Sequence, residues 1–452
     1  MRIALSIKQD FLDLLSATGG IFYGDISNRS VSFICTDSRE CEEGDIFFAL
    51  EGEKIDANIY IPEAIRKGAI PVGTGVKHFG IRVPSGINAL LSFSSFYKNA
   101  LTKLKHTVAI TGSVGKTTTK EFSKILSGAR YKTHSTRENY NNAIGASITV
   151  LTANADTEVL ILELGMNHQG EIERLSRAFS PTTAVITKIG SSHIGNLGSI
   201  EKIAQAKLEI TSGLTGKLFI PKEEKTLITS YPDVAFFSTK STTAEISVIK
   251  SAFNRIELYR SGTLHSIFDF EYKADHILEC LAAAISIADN IGISPSEIIG
   301  AICTIRKDSL RHEIFKTKYG FSVLNDSYNA SYESVKAALM MMDDMTEINR
   351  RHALLGSISE LGSKSYSIHY SIGKLIAESK VHFLFLYGND ALPIADGAIR
   401  YGFDKERIFI FAEHDFPTGA AELLKSSLEY DDIILIKASH KMNFESIVRL
   451  LR

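Results

Sequence analysis

The segment TGSVGKTTTK, residues 111–120, poses the chemical question of this chain. Glycines at 112 and 115 let a backbone turn tightly and offer its N–H groups to phosphate oxygens, with Ser113 inside the cradle. A helix opening near Thr117 would add the partial positive charge of its N-terminus. Lys116 would neutralise the terminal phosphates, and the hydroxyl of Thr117 or Thr118 could reach a metal ion. Only two residues separate Gly112 from Gly115, where the general phosphate-loop pattern has about four, so the match is incomplete. Such a loop holds a nucleoside triphosphate. It leaves open whether the last phosphate goes to water, to a hydroxyl or to a carboxylate.

Three further side chains bear on that choice. The run EVLILELG (158–165) places Glu163 at the end of an apolar strand, and TAVITKIGSSH (183–193) places His193 just past another. Ligands of open α/β sheets collect beyond the carboxyl ends of the strands, so the loop, Glu163 and His193 would face one crevice. A carboxylate and an imidazole there could ligate a metal beside the triphosphate. Taken singly, Glu163 could cap a turn and His193 could be an ordinary loop histidine. Lys207 lies in SIEKIAQAKLEITSGL, where Ser199 reads as an N-cap and Ile200, Ile203, Ala204, Leu208, Ile210 and Leu214 mark an apolar face. It falls within or beside that stripe. Periodicity alone favours a lysine whose stem packs while its amine reaches water. A desolvated lysine, in contrast, loses its proton readily and becomes nucleophilic.

The elements that must position these groups belong to a chain of 452 residues, long enough for two or three domains. Hydrophobic residues make up 44% and charged residues 23%, with a net charge of −2 and no basic stripe, which argues against nucleic acid as the main partner. No apolar run approaches the roughly 20 residues needed to cross a bilayer, so no membrane insertion is expected. The N-terminus lacks a signal-peptide core. The four cysteines form no C-x-x-C pair, which favours free thiols over a zinc site and a cytoplasmic location.

Coarse patterning predicts an α/β protein of three regions: 1–103, 104–306 and 307–452. The first has a strand at 46–50 followed by a polar turn and an amphipathic helix. The second opens with HTVAI (106–110), and its strands alternate with helices such as GEIERLSRAF, which predicts a parallel sheet with crossover helices. A more strand-like stretch runs from 217 to 272. The third repeats the alternation, with strands expected at 321–326, 352–357, 382–388, 407–413 and 432–439, and without a G-x-G-x-x-G fingerprint.

Together these segments resemble the Mur ligases along the entire chain. TGSVGKTTTKE is similar to that family's phosphate loop, and ENYNNAIG (138–145) to its asparagine-rich segment. ELGMNHQGEI (163–172) and SSHIGNLGSIEKIAQAKLEI (191–210) resemble its metal and lysine segments. NDSYNASYESVKAAL (325–339), GSISELG (356–362) followed by His369, and IKASHKMNFE (436–445) resemble its last domain, while TDSRECEEGDIFFAL resembles the part that holds a UDP-sugar.

The resemblance implies an N-terminal UDP-sugar domain, a central phosphate-loop ATPase domain with a parallel sheet, and a Rossmann-like C-terminal domain. It implies an ATP- and Mg2+-dependent amide ligase that makes an acyl phosphate, most like the type joining D-alanyl-D-alanine to UDP-N-acetylmuramoyl-tripeptide, and usually a monomer. By the same carry-over, Lys116, Lys207 and His193 are catalytic, and Thr117, Glu163, His193 and a carbamylated Lys207 hold magnesium. Gly112, Ser113, Gly115, Lys116, Thr117, Thr118, His276, Arg311, Asp326 and Asn329 would contact the nucleotide. Ser38, Arg39, Asn141 and Asn142 would contact the substrate.

Ala143, Lys188, Ile277, Ser357, His440 and Asn443 depart from the residues usual at those places, and these concern nucleotide contacts and acceptor recognition. The alternatives are a related Mur or folylpolyglutamate-type ligase with another acceptor, and a phosphate-loop ATPase that does not ligate.

Overall fold

Alternating apolar strands and amphipathic helices build three sheets, and with them three α/β domains, in the computed structural model of the chain. The structure describes residues 1–25, 30–52, 55–227, 231–252, 255–270, 275–305 and 313–452. The N-terminal sheet runs in the order Arg2–Asp10, Ser30–Cys35, Ile46–Phe48, Ile70–Gly73, Gly80–Arg82 and Ile21–Tyr23. The expected strand after residue 45 is thus a central one, and Ile46, Phe47 and Phe48 are all buried.

A helix, Gly86–Ala100, leads out of this domain. Ser85 caps it by accepting from Asn88 N, and Leu90, Leu91, Phe93 and Tyr97 form its buried face. Its Ser94 Oγ donates to Leu91 O and meets Ser147 Oγ at 3.1 Å, on the central helix Ala143–Leu151. One contiguous apolar core therefore joins the first domain to the second.

The central sheet has nine strands, parallel except for the hairpins Ile246–Ala252, Arg255–Arg260 and Thr263–Asp269 at one edge. The strand His106–Thr111 lies between Val159–Glu163 on one side and Thr183–Ile186 on the other. Successive connections thus leave His106–Thr111 in opposite directions, and the crevice beyond its end is a topological switch point. That placement brings the ends of three separate apolar runs together.

The C-terminal sheet runs Glu313–Lys316, Ser322–Asn325, Ile433–Lys437, Arg351–Gly356, Val381–Tyr387 and Ile408–Phe411. All five expected strands are present. Sequence patterning does not reveal Glu313–Lys316, a short antiparallel edge strand whose only apolar residues are Ile314 and Phe315. Insertion of the last strand, Ile433–Lys437, into the middle of the sheet places Lys437 beside the segment that follows Asn325. No helix among the described residues is long and apolar enough to cross a membrane.

Candidate active site

The phosphate loop starts from a strand buried from Thr107 to Thr111 and ends in the helix Lys116–Gly128. Gly112 (φ +152°) has no room for a side chain, since a Cβ would lie 2.0 Å from Thr187 Oγ1. Gly115 (φ +89°) would put a Cβ 2.9 Å from Cys280 Sγ. Both glycines are needed for conformation and for close approach. Hydrogen bonds fasten the loop to the chain leaving Thr183–Ile186: Ser113 N donates to Lys188 O (2.7 Å), Gly190 N to Ser113 Oγ (2.9 Å) and Thr187 Oγ1 to Val114 O (2.6 Å). The short glycine spacing is therefore part of a formed loop. Lys116 Nζ bends back to donate to Gly112 O at 2.7 Å.

Glu163 ends its strand at 1% exposure, and both carboxylate oxygens are held. Thr117 Oγ1 donates to Oε2 at 2.8 Å, and Asn141 Nδ2 donates to Oε1 at 3.0 Å. This buried carboxylate is not a turn cap. The adjacent Asn142 acts differently, through its Oδ1, which accepts from Gly145 N at 2.9 Å and caps the helix Ala143–Leu151, which Ala143 opens.

His193 sits at φ +66°, directly before the short helix Ile194–Leu197. Its Nδ1 is shielded from solvent and lies 2.6 Å from Glu360 Oε2 of the C-terminal domain, close but without hydrogen-bond alignment. The partnership holds the Glu360 carboxyl below its ordinary range, through His193 first, against an opposing effect of burial.

Lys207, near the end of the helix Ile200–Leu208, is 1% exposed. The amine does not reach out to water, which overturns the reading from periodicity. Burial first, and the charge of Lys116 second, push the Lys207 amine well below its usual range, so its neutral form is favoured. Among the described residues it has no hydrogen-bond or ion-pair partner.

From the C-terminal domain come Asp326 and Asn329. Lys437 Nζ donates to Asp326 Oδ2 and to the Asn329 carbonyl (2.8 Å), a buried lysine that sequence motifs do not single out. In the sequence it is a charge closing the apolar strand IILIK, at the start of the segment IKASHKMNFE. Arg311 lies outside the described residues. The departures from the family pattern have defined places. Lys188 pairs with Glu279 at 3.1 Å, Ile277 is buried in the central core, and Ser357 is buried beside Gly388. His440 packs on Tyr328 with ring centroids 5.5 Å apart, and Asn443 takes a left-handed turn at φ +52°.

A cleft of about 340 Å³ runs between the central and C-terminal domains. Ser113, Gly115, Lys116, Thr117 and Thr118 line it from the loop, with Glu163, Asn141, His193 and His276 from the same domain. Asp326, Asn329 and Lys437 line it from the other side. Lys207 is not in the lining but stands behind it, near enough for Lys116 to repel its charge. Ser38 and Arg39 lie apart, in the N-terminal domain: Ser38 Oγ donates to Glu63 Oε2 (2.7 Å), and the exposed Arg39 pairs with Asp37.

Among the described residues no three His, Cys, Asp or Glu side chains cluster as a complete metal site. Magnesium is commonly held by one or two carboxylates and hydroxyls together with substrate phosphates and water. The buried Glu163 carboxylate beside the Thr117 hydroxyl, one turn from the phosphate loop, fits that requirement.

Fold and cleft define an enzyme that uses a nucleoside triphosphate at a switch point, in a cleft walled on its other side by a second α/β domain. Residues 110–287 match the Mur ligase middle domain, and residues 310–440 match the Mur ligase glutamate ligase domain. The chain is 32% identical, over 92% of its length and 92% of the relative's, to the UDP-N-acetylmuramoyl-tripeptide–D-alanyl-D-alanine ligase of Bacillus subtilis. It is similar in fold to crystal structure I of MurF from Acinetobacter baumannii, with TM-score 0.87, 24% identity and 99% of both chains covered. The MurF ligase of Thermotoga maritima in complex with ADP has TM-score 0.80 and 22% identity, covering 92% of this chain and 96% of that one. The chain belongs to the Mur ligase family.

Proposed function

We propose that this chain is an ATP-dependent ligase that joins D-alanyl-D-alanine to UDP-N-acetylmuramoyl-tripeptide in peptidoglycan precursor synthesis. Full-length likeness to ligases of that name supports the substrate pair. The observation that carries the chemistry is the cleft itself, where the phosphate loop and the buried Glu163 face Asp326 and Lys437 of a different domain.

In this reading a carboxylate oxygen of the tripeptide attacks the γ-phosphorus of ATP, and ADP leaves. The amine of D-alanyl-D-alanine then attacks the acyl carbon, phosphate departs, and the nitrogen gives up a proton. A carboxylate is a poor electrophile until one oxygen belongs to a leaving group, so the phosphate is spent on activation. Lys116 leaves its contact with Gly112 O to offset phosphate charge. The C-terminal domain walls the cleft and excludes water from the acyl phosphate.

Thr117, Glu163 and His193 would hold magnesium, which when bound supplies charge neutralisation on the phosphates. The neutral amine of Lys207 would take up carbon dioxide, releasing a proton and gaining a carboxylate-like group. Gly112, Ser113, Thr118, His276, Arg311, Asp326 and Asn329 are assigned to the nucleotide. Ser38, Arg39 and Asn141 are assigned to the UDP-peptide, as is Asn142, through the helix start that it caps. We place the domain boundaries after residues 103 and 306, the second lying outside the described residues, and take the enzyme to be a cytoplasmic monomer. Tripeptide labelled with ¹⁸O in the reacting carboxylate tests the route: one labelled oxygen should appear in the released phosphate, and unlabelled phosphate would rule out acyl activation.

A further inference from the structure

Residues 190–195, which carry His193, are gripped from outside their own domain. Glu333, in the first turn of the helix Tyr332–Asp343, accepts from Ser191 N at 2.8 Å and from Ser191 Oγ at 3.1 Å. Gly195 N donates to the Glu360 carbonyl at 2.9 Å. The Glu360 side chain reaches to within 2.6 Å of His193 Nδ1. Close approach marks both ends of this contact, against a side chain at Gly190 and against backbone at Gly195. A Cβ on Gly190 would stand 2.7 Å from Glu333 Cδ, and one on Gly195 would stand 2.5 Å from the Glu360 carbonyl.

Both residues that meet here also carry backbone strain. His193 (φ +66°) and Glu360 (φ +65°) are both non-glycine residues in the left-handed region. Such conformations are costly and persist where the surroundings over-determine them, often at functional sites. Here one strained turn aims an imidazole and the other aims a carboxylate at it across a domain boundary.

We propose that Glu360 is a positioning residue for His193, so that this imidazole is oriented toward the metal site only when the C-terminal domain is docked. The proposal rests on the reading of His193 as a metal ligand. A histidine that binds metal through one ring nitrogen commonly donates from the other to a carboxylate, which fixes its tautomer and ring orientation. With Nδ1 toward Glu360, the lone pair of Nε2 is left for the cleft that His193 lines. A cation held at Nε2 would polarise the Nδ1–H toward the Glu360 carboxylate. Glu333 and the Gly195–Glu360 hydrogen bond hold the loop while this happens. The consequence is a ligand supplied by the central domain but set by the C-terminal one. An open enzyme would bind nucleotide on its phosphate loop with a metal site still incomplete.

The test uses the full chain with a non-hydrolysable ATP analogue and Mn2+ as the paramagnetic probe, bound metal being counted by EPR. His193→Ala and Glu360→Ala should each weaken Mn2+ binding by about 10-fold or more. Glu360→Gln, which keeps an oxygen acceptor, should recover most of it. Alanine at φ +65° is itself strained, so Glu360→Gly, which accepts that backbone, is the companion variant and should match the alanine result. In the metal-free protein, ¹⁵N spectra of the His193 ring should show a single Nδ1–H tautomer that becomes mixed in Glu360→Gly. Unchanged Mn2+ binding in Glu360→Ala and Glu360→Gly, with His193→Ala still impaired, would overturn the proposal. Unchanged binding in His193→Ala would instead remove the ligand reading beneath it, and the proposal with it.

Discussion

Thr117 Oγ1 donates a 2.8 Å hydrogen bond to Glu163 Oε2, joining the first turn of the phosphate-loop helix to the end of the neighbouring strand. Asn141 holds the other oxygen, so a carboxylate buried to 1% exposure is fixed by two donors and kept as an acceptor. Glu163→Gln replaces one acceptor oxygen with an NH2 group, which then faces a donor. We expect turnover to fall by about 100-fold or more and the Mg2+ requirement to rise, with the fold retained by circular dichroism. A Mg2+ titration that superimposes on wild type would return Glu163 to a structural role.

Lys116→Ala removes the one loop cation that can follow the phosphates. The loop itself is held by Ser113, Thr187 and Gly190, none of which needs the amine. Turnover should drop by about 1,000-fold while the unfolding temperature stays within a degree or two of wild type. Near-normal activity would remove the phosphate-loop assignment.

Lys207 carries a stability cost that the proposed carbamate would put to use. Burial and Lys116 lower its amine from the usual 10.5, so the unfolded chain binds the proton more tightly than the fold does. The sign follows: stability rises with pH up to about 10.5, and the penalty is greatest on the acid side. Each tenfold of disfavoured protonation is worth about 1.4 kcal/mol. Lys207→Met should therefore stabilise the protein at neutral pH and abolish most of the activity. Lys207→Ala should also lose most activity and regain part of it with short carboxylic acids, which substitute for the missing carbamate. A rise in activity when bicarbonate is restored to depleted wild-type enzyme would agree; indifference to both treatments would count against carbamylation.

These residues also show how far the sequence could be read. The loop, Glu163 and His193 were legible because each follows an apolar strand, and an open α/β sheet gathers strand ends. The burial of Lys207 was not legible from periodicity, since helical spacing places a residue on a face but does not say what covers that face. Glu333, Glu360 and Lys437 were missed for a related reason. Their partners Ser191, His193 and Asp326 are 142, 167 and 111 residues away, and no local pattern marks a contact over such a separation, across a domain boundary for the two carboxylates and within the last domain for Lys437. The antiparallel strand Glu313–Lys316 was missed because four residues give too little alternation to detect.

Far from the cleft, at the start of Ile433–Lys437, Asp432 is fully buried and accepts from Glu429 N, from Arg350 and from His352 Nε2. Burial alone would raise its carboxyl, but these donors outweigh that and hold it below the usual range. Burial pushes His352 down to about 4, against the pull of Asp432. Below about 6.5 the unfolded histidine takes a proton that the folded one refuses, so stability falls as pH drops from there toward 4. Asp432→Ala should destabilise the C-terminal domain by about 3–5 kcal/mol. His352→Gln should flatten the decline between pH 6.5 and 4, read by thermal unfolding across pH. An unchanged slope in that variant would exclude His352 as its source.

Phosphate release from ATP with Mg2+ is the most direct measurement of all, run with UDP-N-acetylmuramoyl-tripeptide, with D-alanyl-D-alanine, with both and with neither. A ligase that spends ATP on a carboxylate should release phosphate fast only when both are present, together with a UDP-pentapeptide heavier than the tripeptide by one dipeptide less water. Release at the same rate in all four mixtures, with no such product, would contradict amide ligation and leave a phosphate-loop ATPase.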